Sequence, residues 1–89
     1  MNTARHRLSK HALSCALRNA FDDAFASGDI ARIEAMHNII EKERSSGLDG
    51  LLRTIDHDPV DFILVAAPGF SRDLKLATGK SRNEWAALF

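Results

Sequence analysis

The sequence predicts an all-α fold, a small bundle of four to six helices built on an N-terminal antiparallel helical hairpin. Three observations predict it. Leu13, Leu17, Phe21 and Phe25 recur at four-residue steps with Ala12, Ala16, Ala20 and Ala24 one position behind, so a bulky helical face is flanked by a smooth one suited to close packing. Ile30, Ile33, Met36, Ile39 and Ile40 then repeat at three and four, while Arg32, Glu34, Asn38, Glu41 and Lys42 fill the opposite face. Between the stripes stands Ser27-Gly28-Asp29: the glycine leaves the right-handed region cheaply, and the aspartate accepts from the free amides that open a second helix.

At 89 residues the chain holds one domain, residues 1–89, without an internal repeat or low-complexity linker to mark a boundary. A chain of this size buries about 60–65% of its unfolded surface, so its stability margin is small. With 45% hydrophobic and 27% charged residues it belongs with folded globular chains, not with disordered or fibrous ones. Twelve basic and twelve acidic side chains cancel, which excludes a general attraction to nucleic acid or acidic lipid. The charges are unevenly spread, however. Residues 1–19 carry Arg5, Arg7, Lys10 and Arg18 with no acid, residues 20–64 carry ten acids against four bases, and residues 65–89 have an excess of two bases. The single cysteine, Cys15, rules out an internal disulfide, and a cytoplasmic location is expected. The polar, basic first fifteen residues and the short apolar run at 62–67, against the roughly 20 residues needed to span a bilayer, predict neither a secretion signal nor a membrane segment.

Along the chain, residues 1–8 lack periodicity and are expected to fray, and Ser9 is placed to cap a first helix reaching about Ala26. The second helix is expected to end near Arg44, because Lys42 and Arg44 suit a helix C-terminus and Ser45-Ser46-Gly47 breaks the pattern. Leu48, Leu51, Leu52 and Ile55 mark a short third helix from 48 to about 56, despite Gly50. Asp58-Pro59 has the form of a helix start. Residues 60–67 then read either as a buried helix or as a buried strand; helix is preferred because no second segment offers a strand a partner. Pro68-Gly69 is expected to end that segment, and Ser71 to cap a helix running to Ala77. Thr78-Gly79 stops it, and Ser81 with Glu84 has the spacing of a capping box for a last helix at 82–89.

No complete catalytic, metal or nucleotide constellation emerges. Gly79-Lys80-Ser81 before a helix has the form of the tail of a phosphate-binding loop, but Leu74 stands where the loop needs its first glycine. His11 and Cys15, four apart on one helix face, supply two metal ligands, and neither His37 nor His57 belongs to a second close-spaced pair, so no metal and no other cofactor is expected. Cys15 with His11, or Ser71 in Gly69-Phe70-Ser71, are the nominal nucleophiles; the second lacks the closing glycine of a nucleophile elbow, because Asp73 occupies that place. Asp56-His57-Asp58 reads as a solvated turn.

Leu74-Lys75-Leu76-Ala77-Thr78-Gly79-Lys80-Ser81, followed by Trp85 and Leu88, resembles a helix-turn-helix DNA-binding motif: a short helix, a glycine in the turn, a polar cap and apolar residues four and seven beyond it. The resemblance covers seventeen residues, 72–88, and implies that Arg82 and Asn83 sit where bases are read while Arg72, Lys75 and Lys80 meet phosphates. The sequence departs from the motif at Lys75, where a small residue is usual, at Lys80, where an apolar one is usual, and in a second helix that stops with the chain. Ala24-Phe25-Ala26-Ser27-Gly28-Asp29 resembles the turn of one tetratricopeptide unit, and one unit implies only a helical hairpin. The leading expectation is a non-enzymatic adaptor or regulatory domain that binds a protein partner or a second copy through helix–helix contacts, with Trp85, Leu88 and Phe89 as anchors. A helix-turn-helix transcriptional regulator is the alternative.

Overall fold

The computed structural model describes residues 7–44 and 46–89, which form an all-α bundle with no strand among the described residues. Residues 1–6 of the expected irregular start lie outside them. The N-terminal hairpin is present. Ser9 in extended conformation accepts from the Ala12 amide at 3.1 Å and opens α1, Lys10–Ala26. The chain reverses at Gly28 with φ 74°, and Asp29 accepts from the amides of Ala31 at 2.9 Å and Arg32 at 3.4 Å to open α2, Ile30–Lys42. Leu13, Leu17, Phe21 and Ala24 of α1 are fully buried, while Phe25 is half-buried against His37. In α2 the burial centres on Ala35, Met36 and Ile39, and Ile30 is 72% exposed. The buried stripe therefore begins a turn later than its periodicity suggests, and Ile30, the first residue of the helix, stays in solvent. The helix also stops short of Arg44: Glu43 turns into extended conformation while its amide still donates to Ile39.

A third helix, α3 (Gly47–His57), buries Leu51 and Ile55 and half-buries Leu48 and Leu52. Asp56-His57-Asp58 is not the free solvated turn expected, because Asp56 and His57 are the last two residues of α3 and Asp58 is its C-cap. Asp56 accepts from the Ser14 hydroxyl at 2.6 Å and pairs with Arg18 at 3.2 Å, fastening α3 to α1. Asp58 accepts from the Asp61 amide at 3.0 Å and so caps the next helical turn.

Residues 59–70 settle the choice between helix and strand for helix, in three pitches. A single α-turn, α4 (Pro59–Asp61), passes into a π segment, Phe62–Ala66, and then into a 3-10 turn, Ala67–Phe70. The pitch follows the burial. Phe62 and Ala67, five apart, face the core one π turn from each other, and Ala67 and Phe70, three apart, face it one 3-10 turn from each other. The Phe62 ring meets Phe21 edge-on at 6.2 Å between centroids and Phe70 at 5.6 Å. Pro68-Gly69 does not end the helical run as expected, because Pro68 stands near the start of the 3-10 turn, where its missing N–H is tolerated.

The next helix, α5 (Ser71–Thr78), is not capped by Ser71, which is its first residue. The boundary is Phe70, with φ −141°, whose backbone turns out of the helix while its ring enters the core. Helix α5 lies antiparallel along α2 and is its most extensive partner. At one end the Arg32 guanidinium donates to the Ala77 carbonyl from Nε at 3.2 Å and from a terminal nitrogen at 3.0 Å. At the other, Asn38 and Lys42 both reach Asp73 at 3.4 Å. Leu74 and Ala77 are buried between them.

Candidate functional site

The C-terminal element is a helix, a glycine turn and a second helix. Gly79, φ 80°, ends α5, and Ser81 starts α6 (Arg82–Ala86) with a reciprocal capping box: its hydroxyl accepts from the Glu84 amide, and Glu84 accepts from the Ser81 amide. The expected helix over 82–89 is thus five residues followed by a turn. At 1.5 Å per residue it is about 7 to 8 Å long, a little over one turn.

The expected partner anchors are drawn inward. Trp85 is 2% exposed, its indole N–H donates to the Thr78 hydroxyl at 3.0 Å, and Lys80 lies 5.2 Å above the ring. Leu88 and Phe89 are half-buried against the core, and the Leu88 carbonyl accepts from the Leu8 amide at 2.6 Å. A chain this small has few large side chains with which to close its core, and Trp85 is used there.

Of the residues of the helix-turn-helix resemblance, Arg72, Arg82 and Asn83 line one cleft and Lys75 and Lys80 do not, and most of the five are engaged. Lys75 pairs with Glu84 at 3.0 Å and also reaches the Gly79 carbonyl. Glu84 is held well below its ordinary value, at about 2, first by the Ser81 amide and then by Lys75. Arg82 donates from Nε to the Ile63 carbonyl at 3.4 Å and from a terminal nitrogen to Asn83 at 3.2 Å. The contact to Ile63 has a cause in the backbone: a π-type hydrogen bond to that carbonyl would come from residue 68, and residue 68 is proline. Only Arg72 of the five has no partner among the described residues.

A second surface was not foreseen from sequence. The end of α2, the inner side of α3 and the π and 3-10 segments enclose a groove of about 610 Å³. Phe62, Val65, Ala66 and Phe70 form its apolar side, and Lys42, Glu43, Arg44 and Asp61 surround it. Val65 stays 69% exposed and the neighbouring Leu64 46% exposed. Burial pushes the Glu43 carboxyl above its ordinary value, Arg44 opposes that shift, and nearby Asp61 adds to it. The signal available in sequence was the run Phe62-Ile63-Leu64-Val65, which is longer than one helical face can bury.

At the other end, His11 and Cys15 approach to 3.7 Å on the exposed side of α1. Ser14 beside them is bonded to Asp56 and not to an imidazole. Among the described residues no three of histidine, cysteine, aspartate and glutamate form a group able to hold a metal ion. Nor is any described helix long and apolar enough to cross a membrane. Comparison with known protein families, with characterised proteins and with solved structures finds no match to this chain.

Proposed function

We propose that the chain is a non-enzymatic adaptor or regulatory domain that receives an amphipathic helix of a partner protein in the groove between α2, α3 and the π segment. The observation that carries this reading is the groove itself, with Val65 left 69% exposed beside the buried Phe62 and Phe70. A helix in a groove presents apolar anchors at three- and four-residue steps to such a floor. Charge selects the partner further. Lys42 is already paired with Asp73, so the rim retains the two carboxylates of Glu43 and Asp61 against the one cation of Arg44. A lysine or arginine beside the partner's apolar anchors stabilises the charged form of Glu43 and offsets its repulsion from Asp61.

Gly69 supplies the test. It lines the groove, its φ is not positive, and a Cβ built on it meets nothing within 4 Å. Gly69→Phe therefore fills the groove from a position that leaves the core untouched. Cross-linking in native cells, with nuclease treatment before capture, should yield a partner with the parent chain and lose it with Gly69→Phe at unchanged melting temperature. Capture of the same partner by both chains refutes the groove as the docking site.

The alternative, a DNA-reading helix-turn-helix, draws support from the paired helices around Gly79. Against it stand the brevity of α6 and the engagement of Lys75, Lys80 and Arg82 within the fold.

A further inference from the structure

Besides the apolar groove, the start of α5 and the start of α6 face each other across a polar cleft of about 400 Å³ lined by Pro68, Ser71, Arg72, Ser81, Arg82 and Asn83. Its composition is one-sided: two guanidinium groups, two hydroxyls and a carboxamide, with no carboxylate in the lining. The acids nearest in sequence are committed elsewhere. Asp73 is held by Asn38 and Lys42 on the α2 side, and Glu84 by the Ser81 amide and Lys75. The two positive charges of the cleft are therefore not balanced from within it. Arg72 is exposed and has no partner among the described residues. Arg82 keeps terminal N–H groups beyond its contacts to Ile63 and Asn83, and the Ser81 hydroxyl, which accepts from Glu84, still has its own proton to donate.

We propose that this cleft binds a phosphomonoester. Guanidinium groups present N–H pairs that match phosphate oxygens, and two of them balance the dianion, while the hydroxyls and the Asn83 amide reach the remaining oxygen. A polynucleotide fits less well. It needs a track of cations along successive phosphates, and the next bases along the chain, Lys75 and Lys80, are turned to Glu84 and to the Trp85 ring. The cleft shares no lining residue with the groove.

The test is an NMR titration of the full chain with inorganic phosphate, with O-phosphoserine and with a short glycine-flanked phosphoserine peptide, at ionic strength fixed with chloride. Saturable shifts confined to Ser71, Arg72, Ser81, Arg82 and Asn83 are expected. Arg72→Gln, which removes no hydrogen bond or ion pair among the described residues, should weaken binding by about ten- to a hundredfold at unchanged melting temperature. A peptide that binds more tightly than inorganic phosphate assigns the group to a phosphorylated protein, and equal affinities assign it to a small phosphate ester. Shifts that do not saturate, or that persist in Arg72→Gln, overturn the proposal. So does a DNA duplex that competes at the same residues more tightly than any monoester.

Discussion

Replacing Trp85 with alanine decides whether the C-terminal helix closes the core or waits for a partner. The ring is 2% exposed, so the substitution removes a buried aromatic and leaves a cavity, which costs about 3–5 kcal/mol. It also removes the indole N–H bond to Thr78 and the ring beneath Lys80, together worth about 1–2 kcal/mol, part of it lost to solvent exposure of Lys80. A chain of 89 residues has about 4–13 kcal/mol of total stability, so the loss takes from about a third of it to all of it. At about 4–8 °C per kcal/mol, the melting temperature should fall by at least about 12 °C. Circular dichroism measures this without the ring, and in the parent chain the lone tryptophan reports the same transition by fluorescence. Trp85→Phe keeps most of the apolar plate and should recover more than half of the loss. A melting temperature within about 3 °C of the parent, combined with a lower mass by light scattering, would refute the core placement and return Trp85 to an intermolecular contact.

Two further predictions concern the polar fastenings. Arg32→Ala removes both donors from the Ala77 carbonyl and should cost about 1–3 kcal/mol by chemical denaturation; Arg32→Lys, which lacks the fork, should recover less than half of it. Glu84 has a folded pKa of about 2 against an ordinary 4.5, so its contribution is present above 4.5 and lost as pH falls through about 2. Glu84→Gln should therefore be less stable than the parent at pH 6, with the difference closing between those values, and a difference independent of pH would falsify the assignment.

The hairpin was legible because its cues are local. Ser9, Gly28 and Asp29 act on amides within a few residues of themselves, and the four-residue stripe of α1 is buried as written except at its end. The same holds for the Ser81–Glu84 capping box. What was not legible depended on distant partners. The pitch of residues 59–70 is set by where Phe62 and Phe70 find Phe21 and each other, and no pattern within the segment encodes that. Ser71 has the chemistry of a cap, yet the helix boundary falls on Phe70 because the ring must reach the core.

The apolar groove and the polar cleft have a common origin in that irregular segment. A regular α-helix over 59–70 turns Phe62 and Ala67 away from each other by more than a quarter turn, so one of them leaves the core. The wide π turn keeps both inside and leaves Val65 on the rim of the groove. The 3-10 turn after it contributes Gly69 to the same groove and Pro68 to the polar cleft. The proline in turn removes the donor that the Ile63 carbonyl would meet in a continued π helix, and Arg82 crosses to that carbonyl from α6. One of the two cleft guanidiniums is thereby bonded to the backbone of the same π segment that supplies Phe62, Val65 and Ala66 to the groove. Pro68→Ala restores a backbone donor at that position and competes with Arg82 for Ile63, so it should loosen Arg82 and weaken phosphate binding while leaving the Gly69 side of the groove unchanged.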